Sequence, residues 1–411
     1  MYKRNCAVQT NGLDVIYQHV QKRKDGPVYM TKRKAAEVAA FHESLPTYQQ
    51  TRLVSLQNLA NYLGVKGIYV KDESGRFGLK AFKGLGGIYA MFQVLCKKLG
   101  LNPQRTTFSD FQGEAIKKQV ADIIFVTATD GNHGKGISWA AGLFGCQAYV
   151  FMPVGAAKER EEAIRKVGPA IVQVTTKNYD ETVNYAKEMS KQNGWILIQD
   201  TSWDGYEQIP IWIIQGYLTM AAEAVEQIKE YAVKPTHVFL QAGVGAMAGG
   251  ICGYLMNYYA EARPIVSVVE PASAACIFYS AQKADGKIHS LEGNPHTIMA
   301  GLNCGTPCKV TWPILQEFIS SYFSCPDYVS AYGIRTYARP MAGDAAVVSG
   351  ESGAVTLGLV RMLLENVACQ EIKTKLELNS ESVLLLFNTE GDTDPYNYRK
   401  IVENELYPIP E

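Results

Sequence analysis

The chain has 411 residues, of which 47% are hydrophobic and 19% are charged, the composition of an ordinary globular protein with about two domains. Lysine plus arginine and aspartate plus glutamate both number 40, so the balanced charge argues against a nucleic acid or an anionic membrane as partner. The N-terminus has no apolar core followed by a small-residue cleavage site, and no segment approaches about 18 consecutive apolar residues. We therefore expect a cytoplasmic protein that acts on a small molecule.

Nine cysteines are scattered along the chain without a CxxC pair or histidines at zinc spacing. This pattern predicts small buried side chains and no metal site. An odd number of cysteines also argues against a full disulfide framework.

Short runs rich in valine and isoleucine alternate with segments of helical period, which is typical of an α/β fold with a mostly parallel sheet. The run of strand and helix patterns is tightest over 85–203. We therefore predict a small domain at 85–203 inserted into a larger one formed by 1–84 and 204–411, with a surface excursion at 101–119. The predicted strands are 67–73, 121–129, 146–153, 170–175, 195–200, 236–242, 264–270 and 382–388.

The first predicted strand is followed by GLKAFKGLGG at 78–87, which places two lysines between a strand and an apolar helix. Ligands of open α/β folds lie beyond the carboxyl ends of strands, so a lysine here points to the binding crevice. Desolvation by Phe82 and Leu85 would lower its pKa and favour the neutral amine that imine formation requires. Either Lys80 or Lys83 fits this role, and a solvated lysine at a helix start is the structural alternative.

The next strand leads into TATDGNHGKG at 127–136. Backbone N–H groups at the start of the following helix would bind a carboxylate, and the Asn132 amide can donate to a phenolate or carbonyl oxygen. A purely structural glycine turn is the alternative.

A third strand is followed by GVGAMAGG at 243–250. Its glycines let several backbone N–H groups close on a phosphate at a helix N-terminus. The segment also fits a dinucleotide fingerprint, because Gly243, Gly245 and Ala248 match GxGxxA and Glu270 ends the next strand. An NAD-binding protein therefore stays open at this point.

The last predicted strand ends in NTEGDTDP at 388–395. A hydroxyl at a strand end, here that of Thr389, is also common in simple turns. By itself this segment therefore favours a simple turn over a ligand contact.

In this order, AFKGLGG, DGNHGKG, GVGAMAGG and NTEGDTDP resemble the motifs of fold-type II pyridoxal-phosphate enzymes. With IQDTSWDGYEQIP at 198–210, they are most similar to the 2,3-diaminopropionate ammonia-lyase family. The resemblance extends over most of the chain. It implies two open, mostly parallel sheets with helices on both faces, pyridoxal 5'-phosphate as cofactor, and a homodimer. The apolar helices around 211–224 would suit the subunit contact.

The resemblance also implies which residues bind the cofactor. Lys83 would form the Schiff base and Asn132 would bond the ring oxygen. Thr389 would face the pyridine nitrogen. The phosphate would lie on the backbone of Gly243, Val244, Gly245, Ala246 and Met247.

For the reaction, the resemblance implies elimination of the β amine of 2,3-diaminopropionate to give pyruvate and ammonia. Lys83 and Asp130 would act as bases on the two faces of the substrate, and Asp200 would bind its distal amine. Substrate contacts are expected from Thr129, Asp130, Gly131, His133 and Asp200. The alternative within the same fold is a serine or threonine dehydratase, against which Asp130 and the 198–210 segment weigh.

Overall fold

The computed structural model describes residues 7–10, 12–18, 25–293 and 295–410. The chain divides into two compact units. Unit 1 comprises Met1–Thr31, Thr51–Gly75 and Met220–Glu411, and unit 2 comprises Lys32–Gln50 and Arg76–Thr219. Compared with the predicted domains, unit 2 also includes 32–50, 76–84 and 204–219.

Strands occupy short segments of both units, and in the described part of the chain they are β1 (Ala7–Thr10), β2 (Leu13–Tyr17), β3 (Leu53–Ser55), β4 (Gly67–Asp72), β5 (Ile124–Ala128), β6 (Gln147–Met152), β7 (Ala170–Val174), β8 (Ile196–Leu197), β9 (His237–Gln241), β10 (Ile265–Pro271), β11 (Ser321–Cys325) and β12 (Val383–Asn388).

The α-helices of the same residues are α1 (Lys32–Glu43), α2 (Gln57–Leu63), α3 (Lys83–Leu99), α4 (Glu114–Val120), α5 (Asn132–Phe144), α6 (Lys158–Val167), α7 (Tyr179–Asn193), α8 (Gln208–Gly216), α9 (Leu218–Ile228), α10 (Ala246–Tyr258), α11 (Cys276–Lys283), α12 (Trp312–Phe318), α13 (Asp327–Ala338), α14 (Glu351–Glu365), α15 (Gln370–Lys375) and α16 (Pro395–Glu403).

Unit 1 contains an eight-stranded sheet with the order β1-β2-β11-β10-β9-β12-β4-β3. Its central strands pair in parallel, whereas β1, β2 and β3 pair antiparallel at the two ends. The central strands are buried throughout, because helices cover both faces of such a sheet and their sequences are continuous apolar runs. The mostly parallel α/β architecture predicted from the sequence is therefore confirmed.

Unit 2 contains a parallel four-stranded sheet with the order β7-β6-β5-β8. Alternate residues of β6 face opposite sides, as the pleat of a strand requires. Phe151 packs with Val183 and Ala186 of α7, whereas Val150 packs with Ile164 of α6. Helices thus cover both faces of this sheet as well.

The predicted surface excursion at 101–119 is more regular than expected. It contains a 3-10 helix at Phe108–Gln112 and all of α4 except its last residue. Phe108 and Phe111 are buried and both rings contact Phe144. Two aromatic anchors therefore hold a segment whose remaining residues show little helical period.

Much of the apolar face that was predicted around 211–224 as a subunit contact is buried within this one chain. Ile213, Ile214, Leu218, Ala221 and Ala224 are all 0–1% exposed within this one chain. Their apolar side chains belong to the interior, so they offer no free face to a second copy.

Eight cysteines of the described residues are buried free thiols, as the scattered pattern predicts; Cys6 lies outside the described residues. Across the described residues no single helix is long and apolar enough to cross a membrane. In the described part of the chain, one bent pair, Glu351–Glu365 and Val367–Lys375 at 95°, reaches that length and composition together.

Candidate active site

Lys83 is the first residue of α3 and lies against the Phe82 ring, with its amine 5.4 Å from the ring centroid. Its Nζ donates a hydrogen bond to Asp200 Oδ2 in an ion pair. Lys80, by contrast, is exposed and has a left-handed backbone with φ of 56°. Lys83 thus contacts a predicted site carboxylate.

Asp200 follows β8 and is 6% exposed. Burial acts to raise its pKa, but His133 and Lys83 outweigh burial and lower that pKa to about 2. Asp200 is therefore a carboxylate throughout the neutral range and can bind a cation.

His133 lies on α5 and is almost fully buried. Its Nε2 is 2.8 Å from the Ile198 carbonyl oxygen, which requires a proton on Nε2, and its Nδ1 is 3.9 Å from Asp200 Oδ2. Burial lowers the pKa of His133, which favours the neutral imidazole. Its Nδ1 lone pair then lies on the side of Asp200, where it can accept a proton or a hydrogen bond.

Asp130 follows β5 in the loop before α5. Burial raises its pKa to about 7; the Arg160 guanidinium opposes this rise, and Asp200 adds to it. A carboxyl with a pKa near neutrality can both accept and release a proton at working pH, which is the property of a general base.

The Asp130 loop is held by Thr129 and two glycines. Thr129 Oγ1 accepts hydrogen bonds from the N–H groups of Gly131 at 2.9 Å and Gly134 at 3.0 Å. Gly131 has a φ of 153°, and a Cβ at Gly134 would lie 2.4 Å from Thr129 Cγ2. The predicted DGNHG segment therefore needs its glycines for its backbone conformation. The Thr129 hydroxyl stabilises this loop through its two hydrogen bonds.

In unit 1 the glycine loop at 243–247 follows β9 and leads into α10. Gly245 has a left-handed φ of 86° and is the N-cap of α10. Among the described residues, no side chain caps this helix start. A Cβ at Gly243 would lie 3.0 Å from Cys304 Sγ and 3.1 Å from Leu302 Cα. The loop thus exposes backbone groups at a helix N-terminus, which suits a phosphate.

Thr389 follows β12 in unit 1 and is buried. Gln241 Nε2 donates to Thr389 Oγ1 at 2.9 Å and to the Phe387 carbonyl oxygen at 2.8 Å. Because Gln241 supplies the donor of this bond, the Thr389 hydroxyl keeps its own proton to donate. A neutral donor of this kind fits an unprotonated pyridine nitrogen.

Glu270, the acidic residue of the rival dinucleotide fingerprint, is occupied inside the protein. Its carboxylate accepts hydrogen bonds from the N–H groups of Ile277 at 2.8 Å and Phe278 at 2.6 Å, at the start of α11. Burial raises its pKa to about 8. A carboxyl committed to a helix N-terminus in this way is a poor partner for a ribose hydroxyl.

Sequence reasoning missed Arg160 and Gln241. Arg160 packs on Gly131, and Gln241 holds Thr389. Gln241 carries a signal that could have been used, because a polar amide at the end of a buried apolar strand needs a partner. Arg160 carries none, since it lies on a polar helix thirty residues from Asp130.

Within unit 2 the structure brings together Lys83, His133 and Asp200, with Asp130 in electrostatic range of Lys83 and Asp200. Asn132 is the first residue of α5. Unit 1 separately holds the glycine loop and Thr389. This inventory of a lysine, an amide, a phosphate cradle and a neutral hydroxyl fits pyridoxal phosphate.

Comparison with known proteins agrees with this chemistry. The profile of the family described as pyridoxal-phosphate dependent enzyme matches residues 45–386. A diaminopropionate ammonia-lyase from Salmonella typhimurium is 46% identical over 370 residues, which cover 90% of this chain and 91% of that protein.

Two crystal structures from Escherichia coli share the whole fold. Holo diaminopropionate ammonia lyase has a TM-score of 0.90 at 42% identity and covers 97% of this chain and 98% of its own. The complex of that lyase with an aminoacrylate-PLP azomethine reaction intermediate has a TM-score of 0.89 at 41% identity, covering 99% and 100%.

These matches confirm the fold-type II architecture and the pyridoxal-phosphate cofactor expected from the sequence. They favour the predicted lyase over the two alternatives, a serine or threonine dehydratase and an NAD-binding protein. The chain belongs to the pyridoxal-phosphate dependent enzymes and, within them, to the carbon–nitrogen lyases of the diaminopropionate ammonia-lyase family.

Proposed function

We propose that this chain eliminates the β amine of 2,3-diaminopropionate. The balanced reaction consumes one water and releases one pyruvate and two ammonia molecules, one from the elimination and one from hydrolysis of the resulting imine. The relatives that carry this activity in their names cover about nine-tenths of the chain, so the proposal concerns the whole protein.

The observation that carries the proposal is the ion pair between Lys83 and Asp200, with His133 beside it. The Asp200 carboxylate already holds one ammonium group in unit 2. The β-ammonium of the substrate is a group of the same charge and hydrogen-bonding capacity, so it can take the place of the lysine on Asp200. A hydroxyl leaving group, as in serine, would not need this carboxylate.

We assign the cofactor contacts as follows. Lys83 holds the cofactor covalently through Nζ, Asn132 donates to its ring oxygen, and Thr389 donates to its pyridine nitrogen. The backbone of 243–247 binds the phosphate. When bound, the cofactor acidifies the Cα–H of the substrate and accepts the electron pair.

Two groups remove the Cα proton in this proposal. Lys83 serves the face on which it is released, and Asp130 serves the other, so each base acts on one enantiomer. Asp200 binds the distal amine, and His133 completes its surroundings. The start of α5, with Thr129 and Gly131, receives the substrate carboxylate.

We also propose a homodimer in the cytoplasm. The eight buried free thiols of the described residues suit a reducing compartment, and symmetric dimers are the commonest oligomers of soluble proteins. Light scattering that gives a monomer at working concentration would exclude the dimer.

The test of the function is a substrate panel on the purified holoenzyme. Pyruvate and ammonia should form from D- and L-2,3-diaminopropionate in a ratio of one to two, with much lower kcat/KM for serine and threonine. Equal or greater kcat/KM for either hydroxy amino acid would replace the lyase by a dehydratase.

A further inference from the structure

Strands β5 and β8 stop pairing just before the loops that carry Asp130 and Asp200. The parallel ladder joins Val126 to Leu197, and the Ile198 N–H donates to the Val126 carbonyl oxygen at 2.9 Å. A regular parallel ladder would continue by two bonds, from the Ala128 N–H to the Ile198 carbonyl oxygen and from the Asp200 N–H to the Ala128 carbonyl oxygen.

The side chain of Gln199 takes both of those positions on Ala128. The Ala128 N–H donates to Gln199 Oε1 at 3.0 Å, and Gln199 Nε2 donates to the Ala128 carbonyl oxygen at 3.1 Å. The Thr127 hydroxyl also donates to Gln199 Oε1, at 3.1 Å. Gln199 is fully buried. Its carboxamide therefore replaces a peptide group and extends the sheet by one rung.

The orientation of this carboxamide is fixed by its partners. Rotating it by half a turn would set its NH2 group against the N–H of Ala128 and its oxygen against the Ala128 carbonyl. Both contacts would be repulsive in a buried site. The rung can form in one orientation only.

Because Gln199 takes the place of a backbone rung, the Ile198 carbonyl oxygen is available to a residue of the site. The Ile198 carbonyl oxygen, which a regular rung would occupy, accepts from His133 Nε2 at 2.8 Å instead. Beyond Gln199 the chain places the Asp200 carboxylate on Lys83, and Gln199 Nε2 lies 3.4 Å from Asp200 Oδ1. The Gln199 N–H is itself held by Tyr206 Oη at 2.8 Å.

We propose that Gln199 is a positioning residue that fixes the Asp130 loop, His133 and Asp200 relative to one another by substituting its side chain for a sheet rung. It is not a catalytic residue, because its contacts are to the backbone and to other site residues. The inference deepens the proposed function and rests on it.

The decisive variant is Gln199→Glu, which keeps the length and shape of the side chain. Protonated, it can both donate to the Ala128 carbonyl oxygen and accept from the Ala128 N–H, whereas the carboxylate has no donor. Burial raises the pKa of a carboxyl group. Turnover of the variant holoenzyme should therefore fall as pH rises through the pKa of the new carboxyl group, which adds to the kcat profile a decrease that is not present in the wild-type profile at that pH.

A second variant, Gln199→Leu, removes both side-chain hydrogen bonds to Ala128 at every pH. Its kcat should fall for both enantiomers by about 10- to 100-fold, the effect of displacing catalytic groups by a fraction of an ångström to one ångström. Hydrogen exchange of the Ala128 amide should also become faster than in the wild type.

The control is Tyr179→Phe, which removes the hydroxyl 3.4 Å from Gln199 Nε2 and leaves both bonds to Ala128. Its kcat should stay within about twofold of the wild type. If Gln199→Glu keeps the wild-type pH profile, the proposal is overturned, and this result can be read even if Gln199→Leu fails to fold. A wild-type holoenzyme without lyase activity would instead refute the proposed function.

Discussion

The predicted site residues of the two units differ in chemistry. In unit 2 they form a cluster of Lys83, Asp130, His133 and Asp200, in which burial raises the pKa of Asp130 and lowers that of His133, whereas His133 and Lys83 lower the pKa of Asp200. In unit 1 they form a neutral cradle, the backbone of 243–247 with Thr389 held by Gln241. The first set can move protons and bind a cation, whereas the second can only bind and orient.

This difference suggests a division of labour. A cradle made of backbone groups and a hydroxyl keeps the same charge at every working pH, so its residues should add no pH dependence of their own to cofactor binding. The pH dependence of turnover should then arise in the cluster of unit 2. The variants below separate the two sets of residues.

The largest effect is expected for Lys83→Ala. It should abolish both turnover and the visible absorbance band of lysine-bound cofactor, because the amine that binds the cofactor is gone. Lys80→Ala is the matched control and should keep both. The opposite pattern would assign the covalent bond with the cofactor to Lys80 in place of Lys83.

Asp130→Asn tests the cluster alone. Removing a general base costs about 100-fold to 10,000-fold in rate, and the loss should fall on D-2,3-diaminopropionate. Turnover of the L enantiomer and the absorbance band should be largely kept. Equal losses for both enantiomers would show that Asp130 binds substrate or orders its loop, and the two-base proposal would have to be given up.

Gly245→Ala tests the cradle alone. An alanine in the left-handed conformation costs about 1–2 kcal/mol, and its Cβ would lie 2.8 Å from side-chain atoms of Ile277 and Leu315. We expect cofactor affinity to fall by about 5- to 30-fold, with no change in the pH profile of the loaded enzyme.

The control for the cradle variant is Gly64→Ala. Gly64 has a similar left-handed φ of 71°, and no heavy atom of the described residues lies within 4 Å of its ideal Cβ. This variant should therefore lose stability but keep cofactor affinity. Equal weakening of cofactor binding in both variants would mean that general destabilisation causes it.

The smallest effect is expected for Arg160→Met. The Arg160 charge lowers the pKa of Asp130, which burial raises to about 7. If the carboxylate is the active form, turnover of the D enantiomer falls as pH drops through that pKa. Removing the charge raises the pKa further, so the acidic limb should move to higher pH for the D enantiomer only.

Lys158→Met removes the same charge from an exposed position on the same helix and should leave the limb in place. An unmoved limb in Arg160→Met would mean that the titrating group is not Asp130.

The sequence predicted the central architecture because apolar runs mark buried parallel strands. All eight predicted strands are present, from β4 to β12. It missed β3, which has only three residues, and β11, whose SYFSC sequence mixes serines with aromatic residues. It also missed the antiparallel pair β1 and β2, although an Asn-Gly dipeptide between them is a hairpin signal.

Site residues that belong to a sequence motif could be predicted, whereas a residue whose role depends on strand pairing could not. Lys83, Asp130 and Asp200 follow strands, and their position beyond strand ends was readable from the sequence. The role of Gln199 depends on which strand lies beside β8 and on where that pairing stops. Residue patterns do not contain this information, because the sequence does not show whether a glutamine after a strand pairs with the neighbouring strand or faces solvent.

The central claim is that Lys83, the lysine paired with Asp200, carries the cofactor. It is tested most directly on the wild-type holoenzyme by borohydride reduction, proteolysis and mass-spectrometric mapping of the phosphopyridoxyl group. The account predicts the modification on Lys83, with Lys80 unmodified. Modification of Lys80 or of any other lysine in its place would contradict it.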